Sequence, residues 1–250
     1  SYRKKVGAGM FGKRRKRRRK EKIYRNRERG YTKKQQIRLR HYLKLGVVIL
    51  VLLILILSVI RIAGCIRSGK YWEKEDAKID ATKPDIDVEL LTVNEYSRPG
   101  TETGEIQGIV IHYTANPGAT AMQNRDYFEG LKDTHTTKAS SHFIVGLDGE
   151  IVQCIPTWEV AYASNSRNAD TVSIECCHPD ESGMFNEKTY RSMVQLTAWL
   201  CEKFGLDEND VIRHYDVTGK NCPKYFVENE DAWEQFKLDV KTALATPKEE

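Results

Sequence analysis

Acidic residues are almost absent from the first 44 positions, which hold 2 Asp and Glu against 20 Lys and Arg. The remaining 206 residues carry 33 acids against 20 bases, so the modest net charge of +5 is the sum of a +18 tail and a −13 remainder. Charge of either sign is missing from Leu45 to Ile60 (LGVVILVLLILILSVI), and an apolar run of that kind excludes a simple soluble cytosolic protein. No A-x-A site follows the run, and the basic stretch before it is far longer than that of a secretory signal, which argues against a cleaved leader. Cysteine is scarce, at 6 residues, and falls in no zinc-finger pairing. No internal repeat is present, which excludes a solenoid. Ser1 in place of a leading Met is read as a processed start or a truncation.

Sixteen helical residues reach about 24 Å, short of a hydrocarbon core of roughly 30 Å. Continuing through Arg61 to Ile66 gives about 33 Å, with the Arg61 guanidinium snorkelling to the outer interface. One transmembrane helix is therefore expected at 45–66. The basic block before it and the acidic chain after Lys74 orient it as a type II single-pass protein of the cell membrane, N-terminus cytoplasmic and the larger part outside. Ile62-Ala63-Gly64-Cys65 offers a rival, since it resembles a bacterial lipobox that would anchor the chain through Cys65. The run Lys13 to Lys20 (KRRKRRRK) can be read as a nucleic-acid-binding arm. Orienting a span and holding anionic lipid need only charge, so the basic tail, 1–44, is assigned to the membrane rather than to nucleic acid. It has few large apolar residues to bury and is expected to be disordered.

Residues 67–103 are charged, contain Pro84 and Pro99, and read as an extracytoplasmic stalk. A folded domain is expected over 104–250. Ile109-Val110-Ile111 has the form of a strand buried on both faces. Two further strands, His142 to Gly146 and Glu150 to Ile155, flank Asp148-Gly149, a hairpin signal. Thr171 to Cys177 alternates Val172, Ile174 and Cys176 with Ser173, Glu175 and Cys177, so Cys176 and Cys177 point to opposite sides. Helices are predicted over Ala119 to Leu131, over the Met193 to Phe204 repeat that stops at Gly205, and over Trp233 to Leu244. Interleaved strands and helices indicate one α/β domain. Thiols outside a membrane can pair, and thiols in a core can stay reduced; the spacing of Cys154, Cys176, Cys177 and Cys201 does not choose between the two.

Ligand-type residues stand at element ends: His112 closes IVIHY, His142 opens SHFIV, and His214 and Cys222 flank a loop containing Gly219. Two imidazoles and one thiolate, His112, His214 and Cys222, form a set that zinc accepts while keeping a fourth position open. Taken singly, each is as well read as a satisfied histidine or a buried sulfur.

The segments IVIHYTANPGATA, SSHFIVGLDGEIVQCIP, SIECC and RHYDVTGKNCP, in that order over about 105 to 226, resemble the zinc-dependent N-acetylmuramoyl-L-alanine amidases of the type-2 amidase, T7-lysozyme and peptidoglycan-recognition-protein family. The resemblance implies a central mixed β-sheet flanked by α-helices, one Zn2+ on His112, His214 and Cys222, and hydrolysis of the amide between N-acetylmuramic acid and L-alanine in bacterial peptidoglycan. It further implies that Lys220 supports the developing oxyanion, with a solvated loop lysine as the alternative, and that Glu175 moves protons, with an ordinary strand glutamate as the alternative. Many relatives carry Tyr before the second-motif histidine, where this chain has Ser141, and His where it has Tyr162. His142 is assigned to the cleft floor or to the groups behind it, with a structural role as the alternative. Asp216 either orients an imidazole or fixes the loop, the loop role being preferred. Trp158, Tyr162, Asn165 and Arg167 form a polar-aromatic loop of the kind that binds a sugar-peptide strand. The rival function is a non-catalytic peptidoglycan-recognition module on the same fold.

Overall fold

The computed structural model describes residues 20–21, 38, 40–51 and 78–248. The chain divides into two units, residues 1–73 and 74–250. In the first, residues 40–51 are helical. Among the described residues no helix is long and apolar enough to cross a membrane. The expected span at 45–66 runs beyond residue 51 and so lies largely outside the described residues, as do Cys65, most of the basic tail and the first part of the stalk.

The second unit is built on a six-stranded sheet: β1 (Asp87–Val88), β2 (Gly108–Tyr113), β3 (Phe143–Val145), β4 (Ile151–Gln153), β5 (Thr171–Cys176) and β6 (Val211–Arg213). Their order is β1-β4-β3-β5-β2-β6. Only β3 and β4 run antiparallel, and every other neighbouring pair is parallel. The antiparallel pair is the hairpin read from Asp148-Gly149, and Gly149 takes φ +86, which a side chain would resist. Ile109, Val110 and Ile111 are wholly buried, as a strand covered on both faces requires.

Five helices complete the unit: α1 (Ala121–Thr134), α2 (Glu187–Phe204), α3 (His214–Thr218), α4 (Lys224–Glu228) and α5 (Glu230–Ala245). A capping box between Thr120 and Gln123 starts α1, and Asn186 caps α2, which ends on left-handed Gly205. The α1 residues Ala121, Phe128 and Leu131 pack with Ile144, Val152 and Cys177 on one face of the sheet. By alternation Phe143 and Val145 point to the other face, where α2 packs on β2 and β3 and α5 packs on α2. The five described cysteines are free and buried.

The expected boundary at 104 is too late. Within the supposed stalk, β1 pairs with β4, the Leu91 N–H donates to the Cys154 carbonyl at 2.9 Å, and Leu91 is buried in the α1-side core. Arg98 closes the segment with a two-point ion pair to Glu159, at 2.7 and 2.8 Å. Apolar residues such as Ala81 and Leu91, set among charges, leave no periodic signal, yet both are buried.

Candidate metal centre and its cleft

The register of β2 against β5 places His112 opposite Glu175, and that of β3 against β5 places Ile144 opposite Glu175 as well. Both side chains therefore face the α1 side. There a cleft of about 550 Å³ opens, lined by Asn124, Tyr127 and Phe128 of α1 and by His112, Glu175, His214, Lys220 and Cys222. Val172, Ile174 and Cys176 point the other way, as alternation required.

His112 lies near the end of β2, His214 is the first residue of α3 after β6, and Cys222 sits between α3 and α4. One ligand atom from each lies within 4.8 Å of the other two. The His112 Nδ1 is 3.8 Å from the Cys222 Sγ, and the two imidazole centroids are 4.7 Å apart. His112 Nε2 meets the Ser164 Oγ at 3.2 Å, and His214 Nε2 meets the Asn165 Oδ1 at 2.8 Å. That leaves His214 Nδ1 buried with no hydrogen-bond partner, one of six such side-chain atoms among the described residues, and Glu175 Oε2 in the same cleft is another.

Burial holds His112 well below the usual imidazole range, with His214 and Lys220 adding to the effect, and burial followed by Lys220 lowers His214 too. Both shifts favour the neutral imidazole, the form that ligates a metal. Burial, reinforced by Glu175, pushes the Cys222 thiol up to about 12, while the Tyr113 backbone N–H and Lys220 favour its thiolate. A dication would stabilise that thiolate and give the orphaned His214 Nδ1 a partner, so the donor set fits zinc. Glu175 is pushed up to about 8 by burial, against the pull of Lys220. Its Oε1 is 4.0 Å from His112 Nδ1, and its Oε2 is buried without a partner.

Of the remaining expected site residues, Tyr162 lines the cleft, with the Lys138 ammonium 5.6 Å from its ring centre. The other four do not line it. Ser141 is buried and donates to the Phe143 and Ser173 carbonyls, tying the start of β3 to β5. His142 is buried between the Ser173 N–H, which donates to Nδ1, and the Glu159 carbonyl. Arg167 pairs with Asp170, its Nε at 2.9 Å from both carboxylate oxygens. Asp216 accepts from the Arg213 backbone N–H and guanidinium, so it fixes the β6–α3 junction rather than an imidazole. Asp216 thus takes the loop role preferred for it and His142 the structural role that was its alternative, while the strand period and a local ion pair turn Ser141 and Arg167 away from the cleft. Ser164 was not singled out at all, because nothing local marks a serine 52 residues from the histidine it meets.

Fold and site together define an α/β protein in which the end of β2 and the β6–α3 and α3–α4 junctions bring three donors, a set that could hold a metal ion, to an open cleft. Residues 102–225 match the family described as N-acetylmuramoyl-L-alanine amidase, and this part of the chain belongs to that family. It is 38% identical over 168 residues to the N-acetylmuramoyl-L-alanine amidase CwlL of Bacillus licheniformis, covering 62% of this chain and 46% of the relative. To the amidase BlyA of Bacillus subtilis (strain 168) it is 34% identical over 176 residues, covering 62% and 46%. The chain therefore spans about half the length of these relatives. Among solved structures, the catalytic domain of XlyA superimposes with a TM-score of 0.53 at 26% identity, covering 63% of this chain and 99% of that one. PlyL shares the fold with a TM-score of 0.56 at 23% identity, covering 64% and 99%.

Proposed function

We propose that this protein is a peptidoglycan hydrolase that cleaves the amide between N-acetylmuramic acid and L-alanine, with Zn2+ held by His112, His214 and Cys222. One observation carries the reading: His214 Nδ1 is orphaned beside a buried imidazole and thiol, next to a buried carboxyl, inside a cleft. Bound there, zinc supplies Lewis acidity to the scissile carbonyl. The chain's own residues do the rest. Glu175 accepts a proton from the attacking water and returns it to the leaving nitrogen as the C–N bond breaks, releasing a lactyl carboxylate and a free L-alanine amine. Burial makes its carboxyl a proton holder near neutral pH, and Lys220 draws it back toward the ionised form that can act as base. The Lys220 ammonium stabilises the oxyanion formed in between. Tyr162 and the α1 wall hold the sugar-peptide strand. A non-catalytic recognition module would need neither the full donor set nor a carboxyl placed beside it, so hydrolysis is the preferred reading.

The apolar run and the charge on either side of it support anchoring at 45–66, with the basic tail on anionic lipid at the cytoplasmic face and the catalytic unit outside. Cys65 lipidation is the alternative anchor. Either one confines the enzyme to wall within reach of its tether.

Mass spectrometry of purified peptidoglycan incubated with the zinc-loaded protein tests the chemistry. Peptides beginning with L-alanine are expected, and they should be missing from the Cys222→Ser digest. Intact wall that still binds the protein would replace hydrolysis by recognition.

A further inference from the structure

Both imidazoles of the proposed ligand set meet consecutive residues of a single turn, and Asn165 of that turn lines the cleft with them. Ser164 and Asn165 stand at the start of a short 3-10 segment, Asn165–Arg167. The Asn165 carboxamide oxygen lies 2.8 Å from His214 Nε2, and the Ser164 hydroxyl 3.2 Å from His112 Nε2. We propose that this turn selects the metal-binding tautomer of both histidines, with Ser164 and Asn165 as positioning residues for His112 and His214. The inference rests on the zinc reading given above.

A carboxamide oxygen only accepts, so the His214 hydrogen sits on Nε2 and the lone pair falls on Nδ1. That is the atom left buried and without a partner. A serine hydroxyl can accept in the same way from His112 Nε2, leaving Nδ1, 3.8 Å from the Cys222 Sγ, as the free donor. The carboxamide oxygen of Asn165 thus fixes the choice for His214, and the Ser164 hydroxyl accommodates the same choice at His112, whose Nδ1 lies beside Cys222.

The turn is itself braced. The Asn168 Oδ1 accepts from the backbone N–H groups of Ala163 and Ser164 at 3.2 and 2.6 Å. The Arg167 carbonyl accepts from the Thr171 hydroxyl at 2.6 Å, which joins the turn to the first residue of β5, the strand that carries Glu175. The Arg167–Asp170 ion pair closes the same five residues, which gives Arg167 a place in the fold away from the substrate. Asn165 has φ +52, in the left-handed region that asparagine enters more readily than most residues with a side chain. Asparagine therefore meets two demands at this position, the backbone shape and the acceptor.

The test uses the full chain and two readings: zinc affinity by competition with a chromophoric chelator, and histidine tautomers by 15N NMR of the metal-free protein. In the wild type, His214 should carry its hydrogen on Nε2. Asn165→Gly keeps the backbone shape and removes the acceptor. It should let the Nδ1–H tautomer appear and weaken zinc binding about 10–100-fold. Asn165→Asp retains the acceptor and should stay within a few-fold of wild type. Asn168→Ala, which loosens the turn without touching either ring, should fall between them, and Ser164→Ala should shift His112 rather than His214. Wild-type affinity and wild-type tautomers in Asn165→Gly would overturn the proposal, and so would an Nδ1–H His214 in the unaltered protein. Should Asn165→Gly fail to fold, Ser164→Ala and Asn168→Ala decide by the same two readings. A folded wild type that takes up no zinc would overturn the metal reading instead, while the metal-free tautomers would still decide the role of the turn.

Discussion

Glu175 and His142 are titratable groups near β-strand ends, the first half-buried and the second buried, and their surroundings give them opposite roles. Glu175 has an oxygen with no partner and faces the cleft, so its carboxyl is available to a substrate. Changing it to Gln keeps the volume and removes the proton carrier, and kcat should fall about 10²–10⁴-fold with zinc content unchanged. Steady-state turnover of a soluble muropeptide alongside metal analysis checks this. His142 has both nitrogens occupied: Nδ1 accepts from the Ser173 N–H at 3.0 Å and Nε2 donates to the Glu159 carbonyl at 2.9 Å. An added proton has no place, and burial brings its pKa down to about 4. The unfolded chain binds that proton below the ordinary value of 6.5, so stability is full above 6.5 and is lost as the pH falls toward 4. The loss attributable to this one group is about 3 kcal/mol. Chemical denaturation at pH 7 and pH 4.5 should show the decline in the wild type, and a smaller one in His142→Gln.

Among the elements, β1 and the segment after it change the picture of the domain most. Leu91 is buried among residues of α1, β3 and β4, although it belongs to a stretch whose prolines and charges read as a tether. Leu91→Ala should destabilise the folded unit by about 2–5 kcal/mol, as expected for a leucine deleted from a close-packed core. A stalk residue would change stability by less than about 0.5 kcal/mol, so the midpoint of urea unfolding separates the two. The same comparison explains why helices were easier to read than this segment. The α2 period and its Gly205 stop, and the α5 apolar stripe, are repeated signals carried by many residues. A two-residue edge strand carries almost none.

For the molecule as a whole, the separation of charge is the dominant feature, with +18 in the first 44 residues and −13 in the rest. If that tail serves the membrane, partition of the protein onto vesicles containing anionic lipid should weaken on removal of residues 1–44 and as salt rises, since each basic residue near such a surface contributes about 1 kcal/mol and is screened within a Debye length. Hydrolysis of soluble muropeptides by the same truncated protein should be unchanged, because the cleft lies wholly within the second unit. Equal partition with and without the tail would remove the membrane role assigned to it.

The sequence alone determined the α/β class, the hairpin at Asp148-Gly149 and the three long helices, and it named His112, His214 and Cys222, which the fold brings within 4.8 Å of one another. All of these are written in local periods, turn residues or short ordered motifs. It placed Glu175 on the cleft side because a strand alternates its faces. Only the tertiary structure decided that residues 78–103 belong to the folded unit, that Ser141 and Arg167 brace the scaffold instead of lining the cleft, and that Ser164 and Asn165 meet the imidazoles of His112 and His214. The first and last of these depend on pairings such as Leu91 with Cys154, His112 with Ser164 and His214 with Asn165, which are separated by about 50 residues or more in the chain. Local pattern carries no information about such contacts, because the order of strands in the sheet is what brings the partners together.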